Sequence, residues 1–256
     1  MTEIIFEYRP PAGDPEIIFE NRNLIAAVKP AGLLAVPGQR ERDSLTSRIK
    51  NRYPEANPAH RLDMATSGIV LFARNRETAA AFVRDFKARH PLKIYAAWVS
   101  GIVRHDSGAI NYPLAKDMER SRLLSAPVQK TDYVSGKPAL TFYRVLKREE
   151  TAGPGRTLLL LYPETGRTHQ LRAHLAERGH PIIGDDIYRN PGADRLREAS
   201  RGFPERLLLH AAFLRFRDPE GGSLISVYAA PDFPVIPDFQ ERLLRDLPLT
   251  GREIRD

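Results

Sequence analysis

The chain has 256 residues, 42% of them hydrophobic, which is enough to bury a sizeable core in one large domain or two small ones. It carries 39 Lys and Arg against 32 Asp and Glu, and the resulting charge of +7 favours a polyanionic partner, although ordinary proteins are often mildly basic. There is no cysteine, which excludes disulfides, thiolate nucleophiles and cysteine-ligated metal centres.

The hydropathy pattern indicates a protein without membrane segments. No apolar run approaches the ~20 residues that are needed to span a bilayer. The first residues, Met1–Ile5, include an early acid and lack the basic and apolar stretches of a secretory signal. We therefore expect a cytoplasmic protein.

The first part of the chain is predicted to alternate short strands with two helices. Residues 1–16 form a polar leading arm, and a single domain is expected over residues 17–256. Ser44 is predicted to cap a helix that ends near Tyr53, because two prolines follow. A second, amphipathic helix is indicated by the apolar spacing of Ala79, Phe82, Val83 and Phe86. Strands are predicted over residues 17–20, 24–28, 69–72 and 92–99.

The rest of the chain is richer in strands. Thr168 is predicted to cap a helix that continues to Glu177, and a last helix is expected over residues 239–247. Further strands are predicted over residues 122–128, 139–146, 156–162, 207–216 and 224–229. Many strands without regular βαβ alternation predict an α+β domain, built on a mixed, largely antiparallel sheet with flanking helices.

Two segments concentrate polar, chemically active side chains. The first, residues 60–68, places His, Arg, Asp, Thr and Ser on a loop before a buried strand, where catalytic groups are common. An alternative is a turn in which Asp63 bonds nearby backbone amides. The second, residues 164–175, places Arg167 between a strand end and a helix N-terminus, which favours anions.

A metal site is less well supported by the same segments. His169 and His174 are five residues apart, whereas two zinc ligands on one helix face usually lie four apart. Asp185 and Asp186 are suitable Mg²⁺ ligands, but two adjacent acids after a glycine are commonly a turn. The alternative assignment of the two histidines is to polar positions of a helix.

Several motifs resemble those of one enzyme family. The run His60-Arg61-Leu62-Asp63, followed by Thr66-Ser67-Gly68, resembles the signature of the RluA-type pseudouridine synthases. In order and spacing, the similarity extends over about residues 17–235, and it is greatest for the dual-specificity subgroup that acts on tRNA and 23S rRNA. Further matching segments are Lys29-Pro30-Ala31-Gly32-Leu33, Lys93-Ile94-Tyr95-Ala96, Thr165-Gly166-Arg167-Thr168-His169-Gln170-Leu171-Arg172, His180-Pro181-Ile182-Ile183-Gly184-Asp185 and Leu208-Leu209-His210-Ala211.

The resemblance implies an isomerase that converts uridine in RNA to pseudouridine without cofactor or metal. Asp63 is implied to be the catalytic carboxylate, Arg167 its cationic partner, and Tyr95 the ring that stacks on the target base. Arg61 is expected to fill the space left by the extruded nucleotide, or else to contact phosphate. The remaining substrate-binding set that the resemblance implies is His60, Thr66 and Leu175.

The expected partner is an RNA stem-loop, either the tRNA anticodon loop, a 23S rRNA loop, or both. The enzyme is expected to act as a monomer, and the short leading arm leaves no room for an N-terminal S4 RNA-binding domain. Two other classes stay open: a non-catalytic RNA-binding protein, and a metal-dependent nuclease using Asp185, Asp186 and a histidine. The residues expected to grip the RNA backbone are Lys87, Arg89, Lys116, Arg120 and Arg122.

Overall fold

A computed structural model describes residues 8–150, 153–188 and 202–245. The chain divides into two compact units, which are described separately. Unit 1 contains Met1–Leu92 and Ala211–Ala229, and unit 2 contains Lys93–His210 and Ala230–Asp256. Within the described ranges, no helix is long and apolar enough to cross a membrane.

The secondary structure is dominated by short strands. The helices are α1 (Leu45–Arg52), α2 (Arg76–Ala88), α3 (Met118–Leu123), α4 (Gln170–Glu177) and α5 (Phe239–Arg245). The strands are β1 (Glu16–Glu20), β2 (Leu24–Lys29), β3 (Asn57–Pro58), β4 (Ser67–Ala73), β5 (Leu92–Ser100), β6 (Ser107–Ile110), β7 (Leu114–Lys116), β8 (Gln129–Thr131), β9 (Thr141–Glu149), β10 (Arg156–Pro163), β11 (Leu209–Arg217) and β12 (Leu224–Tyr228).

Unit 1 is a sheet with the strand order β1-β2-β4-β11, onto which α2 packs. β12 pairs with β11, and β3 pairs with β4, in both cases antiparallel. All seven residues of β4 are buried, on the face of the strand toward α2 and on the opposite face alike. Phe82 of α2 is fully buried and meets Phe216 edge-on at 5.7 Å. Truncation of such a ring to alanine typically costs about 3–5 kcal/mol.

Unit 2 is built on the antiparallel order β5-β10-β9-β6. β7 and β8 form a separate antiparallel pair, and α3 lies between them in the chain. A core cluster joins Leu114, Val128, Ala139, Ala173 and Tyr188, so it ties α4 to this small pair of strands. The α+β class predicted from the sequence is therefore confirmed.

Several local predictions are confirmed. Ser44 caps α1. Its hydroxyl accepts from the backbone N–H of Ser47 at 3.1 Å, and the hydroxyl of Ser47 accepts from the backbone N–H of Ser44. A feature that was not predicted is the positive φ angle of Gly32, Gly68 and Gly101, which glycine adopts without steric cost. The end of the last predicted helix, residues 246–247, lies outside the described residues.

Three local predictions are wrong. Residues 122–128 do not form a strand, because the side chain of Asp117 accepts from the backbone N–H of Arg120 and caps α3 there. Thr168 does not cap α4, since the N-cap is His169, in the left-handed region at φ 51°. Val83 is 64% exposed, so it lies off the apolar face that Phe82 defines.

Candidate active site

The loop that carries Asp63 is held at its start by His60. The Nε2 atom of His60 accepts from the backbone N–H of Leu71 at 3.2 Å, and its ring packs on Phe86 with centroids 4.8 Å apart. Because a backbone N–H can only donate, Nε2 of His60 is unprotonated in this arrangement. These contacts give His60 a positioning role beside β4.

The end of the same loop is held by a buried lysine. Lys29 is fully buried, and its Nζ donates to the carbonyl oxygens of Pro30 at 2.9 Å, Leu33 at 2.7 Å and Met64 at 2.9 Å. The Met64 carbonyl also accepts from the backbone N–H of Gly32 at 2.9 Å. An ammonium group has only donors, and three backbone oxygens accept from it here. Lys29 thus fastens the main chain immediately after Asp63.

The main chain makes a turn from Asp63 to Thr66. The backbone N–H of Thr66 donates to the carbonyl of Asp63 at 3.1 Å. Arg61 is exposed and Asp63 is half-buried, so a substrate can reach both side chains. Thr66 is only 2% exposed, and its Oγ1 is one of two buried side-chain atoms without a hydrogen-bond partner among the described residues. A buried hydroxyl in that state is an open donor and acceptor beside Asp63.

Gly68 fixes the exit of the loop into β4. A Cβ atom at this position would lie 2.4 Å from the carbonyl oxygen of Ala211 and 2.5 Å from its nitrogen. Both atoms belong to the backbone and cannot move aside, and the φ angle of Gly68 is +114°. Only glycine therefore allows β4 and the β11 backbone to approach this closely.

In unit 2, Tyr95 lies on a strand and Arg167 lies in a loop. Tyr95 is half-buried on β5, opposite Leu161 of β10. Arg167 is half-buried in the loop between β10 and α4, and its Nε donates to the carbonyl of Pro138 at 3.2 Å. Leu175 is only 1% exposed. Its assignment to substrate binding stays a prediction, and its burial restricts it to shaping a site by packing.

Gln170 organises the loop that carries Arg167. Its Oε1 accepts from the hydroxyl of Thr165 at 2.7 Å and from the backbone N–H of Arg167 at 3.1 Å. Its Nε2 donates to the carbonyl of Leu140 and to Oγ1 of Thr141, both at 3.0 Å. All four side-chain hydrogen-bonding positions named here are filled, so the buried amide holds the loop against β9 without any charge.

The network continues from Thr141 to a buried histidine. His174 is fully buried, with Nδ1 3.1 Å from Oγ1 of Thr141 and Nε2 2.9 Å from the carbonyl of Tyr112. Since a carbonyl only accepts, Nε2 carries the proton and Nδ1 accepts from Thr141. Burial lowers the pKa of His174 below its ordinary value, and the bond to Tyr112 only partly opposes this. His174 is a neutral part of the scaffold.

A buried ion pair joins two of the sequence motifs. Arg172 donates to both carboxylate oxygens of Asp185, at 2.7 and 2.8 Å, and to Asp186 at 3.2 Å. Asp185 also accepts from the backbone N–H groups of Ile187 and Tyr188. These acids are therefore engaged by an arginine and by backbone amides. Among the described residues, no group of three or more His, Asp or Glu is placed to hold a metal ion.

The residues expected to grip RNA lie on or beside three elements, α2, β7 and α3. Lys87 is on α2 and Arg89 is its C-cap, with φ 60°. Lys116 and Arg122 are exposed around α3, whereas Arg120 donates to the carbonyl of Ile187 at 2.6 Å. Sequence reasoning did not identify the roles of Lys29 and Gln170. Both stand inside recognised motifs, but their function depends on hydrogen bonds that residue spacing does not reveal.

Comparisons with known proteins agree on one family. The family model for RNA pseudouridylate synthase matches residues 23–177. The dual-specificity RNA pseudouridine synthase RluA of Vibrio vulnificus is 43% identical over 93% of this chain and 92% of its own length. The protein of the same name from Escherichia coli K12 is 39% identical over 85% of this chain and 93% of its own length. The structure of human RNA pseudouridylate synthase domain containing 1 has a TM-score of 0.73 and 27% identity, and it covers 94% of this chain and 99% of that one.

Proposed function

The chain belongs to the RNA pseudouridylate synthase family, and from that premise we propose that its substrates are a uridine in the tRNA anticodon loop and a similar 23S rRNA stem-loop. It is an isomerase that converts uridine in RNA to pseudouridine. The dual specificity in the names of the curated relatives, which match most of the chain, supports the two-substrate proposal. We further infer that it acts as a cytoplasmic monomer.

The reaction exchanges one glycosidic bond for another. The bond between C1′ and N1 of uridine breaks, the base turns, C1′ joins C5, and the C5 proton leaves while N1 is protonated. No oxidant, reductant or group donor enters this balance. The side chains needed are a carboxylate for the sugar or base, a surface that holds the base while it is detached, and polar groups that orient it.

The half-buried carboxylate of Asp63 fits the first of these roles. It stands on a loop whose two ends are fixed by His60 and Lys29, so its position is set before the substrate binds. The buried Oγ1 of Thr66, without a partner among the described residues, suits a hydrogen bond to the RNA or to the carboxylate itself. Exposed Arg61 is available to enter the space that the extruded nucleotide leaves.

Tyr95 and Arg167 supply the other roles in this proposal. An aromatic ring on a rigid strand stacks on an extruded base without prior rearrangement. Arg167 is held through its backbone by Gln170 and through its side chain by the carbonyl of Pro138. A guanidinium fixed in this way is suited to pair with a carboxylate or a phosphate.

The observation that favours RNA contact outside these loops is an exposed face on the α3 and β7–β8 region. Tyr133 is 73% exposed and Val134 is fully exposed, and the lysine and arginine side chains around them are exposed as well. The turn that presents them is pinned by Asp132, whose carboxylate accepts from the backbone N–H groups of Val134 and Ser135. The backbone N–H of Ser135, then its hydroxyl, and then the backbone N–H of Val134 lower the pKa of Asp132 to about 2. Exposed aromatic and cationic side chains together are typical of surfaces that bind nucleic acid.

The central test is tritium release from RNA labelled at uridine C5, with tRNA and rRNA stem-loops and EDTA present. Asp63→Asn is expected to reduce release by on the order of 10⁴-fold, because it removes the reacting carboxylate. Asp85→Asn, a charge-matched change on α2, is expected to keep wild-type activity. Release by Asp63→Asn at the wild-type rate would refute the assignment, and release from only one RNA class would narrow the substrate.

The exposed face has its own test. Tyr133→Ala is expected to weaken binding of a tRNA stem-loop by about tenfold, because one stacked base is worth roughly 1–3 kcal/mol. Fluorescence anisotropy with the Asp63→Asn background separates binding from turnover. The control is Leu244→Ala, on the exposed side of α5. Tyr112→Ala does not serve as a control, because the Tyr112 ring packs on His174. Equal affinity of Tyr133→Ala and Leu244→Ala would remove this face from the proposal.

A further inference from the structure

Unit 2 contains a pocket of about 420 Å³ that none of the roles above uses. It is lined by residues 102–105, which connect β5 to β6, by Tyr143 of β9, and by Arg178 and His180 after α4. Four of these side chains are basic: Arg104, His105, Arg178 and His180. No acidic side chain is among the described residues that line it.

The wall of the pocket is rigid before any ligand binds. Arg148 donates from Nε to the carbonyl of Val103 at 2.7 Å and from Nη2 to the carbonyl of Arg104 at 3.0 Å. The backbone N–H of Val103 donates to Oγ1 of Thr157 at 3.0 Å. The carbonyl of Asp106 accepts from the backbone N–H of Val145 at 2.7 Å. A loop fixed at both ends presents Arg104 and His105 with little ordering cost on binding.

The opposite wall is equally fixed. The guanidinium of Arg178 lies over the buried ring of Tyr143, 5.6 Å from its centroid. A Cβ on Gly108, the cross-strand neighbour of Tyr143, would lie 2.7 Å from the Tyr143 hydroxyl, so glycine there leaves room for the phenol. This stacking holds Arg178 in place while its remaining N–H groups stay available to the pocket.

His180 adds an oriented imidazole. Its Nδ1 lies 3.1 Å from the carbonyl of Ser100 and must donate to it, because a carbonyl only accepts. Nε2 is then the ring nitrogen available to a ligand.

We propose that this pocket binds a phosphate group carried on a nucleotide. A phosphate offers several acceptor oxygens and a negative charge. The described lining of the pocket suits it, because it contains two arginines and two histidines and no acid. The volume lies near the lower end of the roughly 300–1,000 Å³ range of small-ligand pockets, which suits one nucleotide. The phosphate comes either from the backbone of a bound RNA, a source that rests on the proposed function, or from a free phosphorylated small molecule.

The test uses the whole chain and does not depend on turnover. Isothermal titration with uridine 5′-monophosphate and with inorganic phosphate measures the site directly. Arg104→Gln and Arg178→Gln are each expected to weaken binding about tenfold, as for loss of one charge-assisted hydrogen bond. Arg245→Gln removes the same charge from an exposed position on α5 and is expected to bind like wild type.

A second arm distinguishes the two sources. The salt dependence of stem-loop RNA binding is measured for the same variants, and loss of one phosphate contact is expected to reduce the slope by about 1. A reduced slope assigns the phosphate to the RNA, and an unchanged slope with weakened nucleotide binding assigns it to a free molecule. If neither measurement separates the two pocket variants from Arg245→Gln, the proposal is wrong, whether or not the protein is an active synthase.

Discussion

The loop that carries Asp63 and the loop that carries Arg167 are immobilised by different chemistry. In unit 1, a buried ammonium group on Lys29 binds three backbone carbonyls, one of which directly follows Asp63. In unit 2, the neutral amide of Gln170 binds the backbone and two threonine hydroxyls around Arg167. The first arrangement buries a charge, whereas the second distributes many weaker bonds. We therefore expect the Asp63 loop to lose its structure as a whole when its anchor is removed. The Arg167 loop is expected to lose order step by step as single hydrogen bonds are removed.

Among the variants that test this difference between the two loops, Lys29→Met is expected to have the largest effect on stability. The substitution keeps the length of the side chain but leaves three carbonyls without this donor, at a cost of roughly 3 kcal/mol in the free energy of unfolding. Urea denaturation measures the change. Lys50→Met, a lysine on α1 whose Nζ contacts exposed Asn57, is the control and is expected to stay within about 0.5 kcal/mol. Equal stability of the two variants would show that Lys29 does not anchor the loop.

A smaller effect is expected from Gln170→Leu. Leucine is similar in size but leaves the backbone N–H of Arg167 and the carbonyl of Leu140 without this partner, at a cost of about 2 kcal/mol. Turnover is expected to fall about tenfold, because Arg167 is less well placed. Stability and tritium release are measured together, with Gln240→Leu, at an exposed position of α5, as control. Unchanged turnover in a destabilised Gln170→Leu would confine Gln170 to folding.

The smallest effect concerns pH. The pKa of His174 is lowered in the folded protein, so the unfolded chain binds more protons as the pH falls below 6.5. Its contribution to stability is therefore complete above 6.5 and is lost as the pH falls toward the depressed folded pKa, by at most about 1.4 kcal/mol per pH unit. His174→Gln removes the titrating group and is expected to reduce the pH dependence of the urea midpoint over this range. A slope identical to that of wild type would exclude His174 as its source.

Local sequence patterns correctly predicted features that depend on contacts between residues close together in the chain. The cap at Ser44 depends on a serine followed three residues later by a second one, and both bonds formed. The α4 cap was misplaced because His169 is the N-cap in the left-handed region, a conformation that is uncommon for residues other than glycine, and its side chain makes no capping hydrogen bond. Residues 122–128 were assigned to a strand, yet Arg122 and Leu123 lie on α3, and Leu123 is 78% exposed there.

The site was predicted through motif resemblance more than through pattern. Asp63, Tyr95 and Arg167 were identified because they stand in recognisable runs, and their catalytic roles stay predictions. The supporting residues were not identified, since Lys29 and Met64 are 35 positions apart and Gln170 and Leu140 are 30 apart. Contacts at that separation depend on the folded sheet, and no periodicity in the chain encodes them.

The division of unit 1 between two distant stretches of chain has a consequence for its biosynthesis. Its core joins Leu24, Ile69 and Phe82 to residues of β11 and β12 and to Ala229, which follows β12. A nascent chain emerging from the ribosome therefore makes the Asp63 loop early but completes the core that supports it only after residue 229. Premature termination before that point would yield a polypeptide that contains Asp63 but lacks the last part of the core that packs on β4.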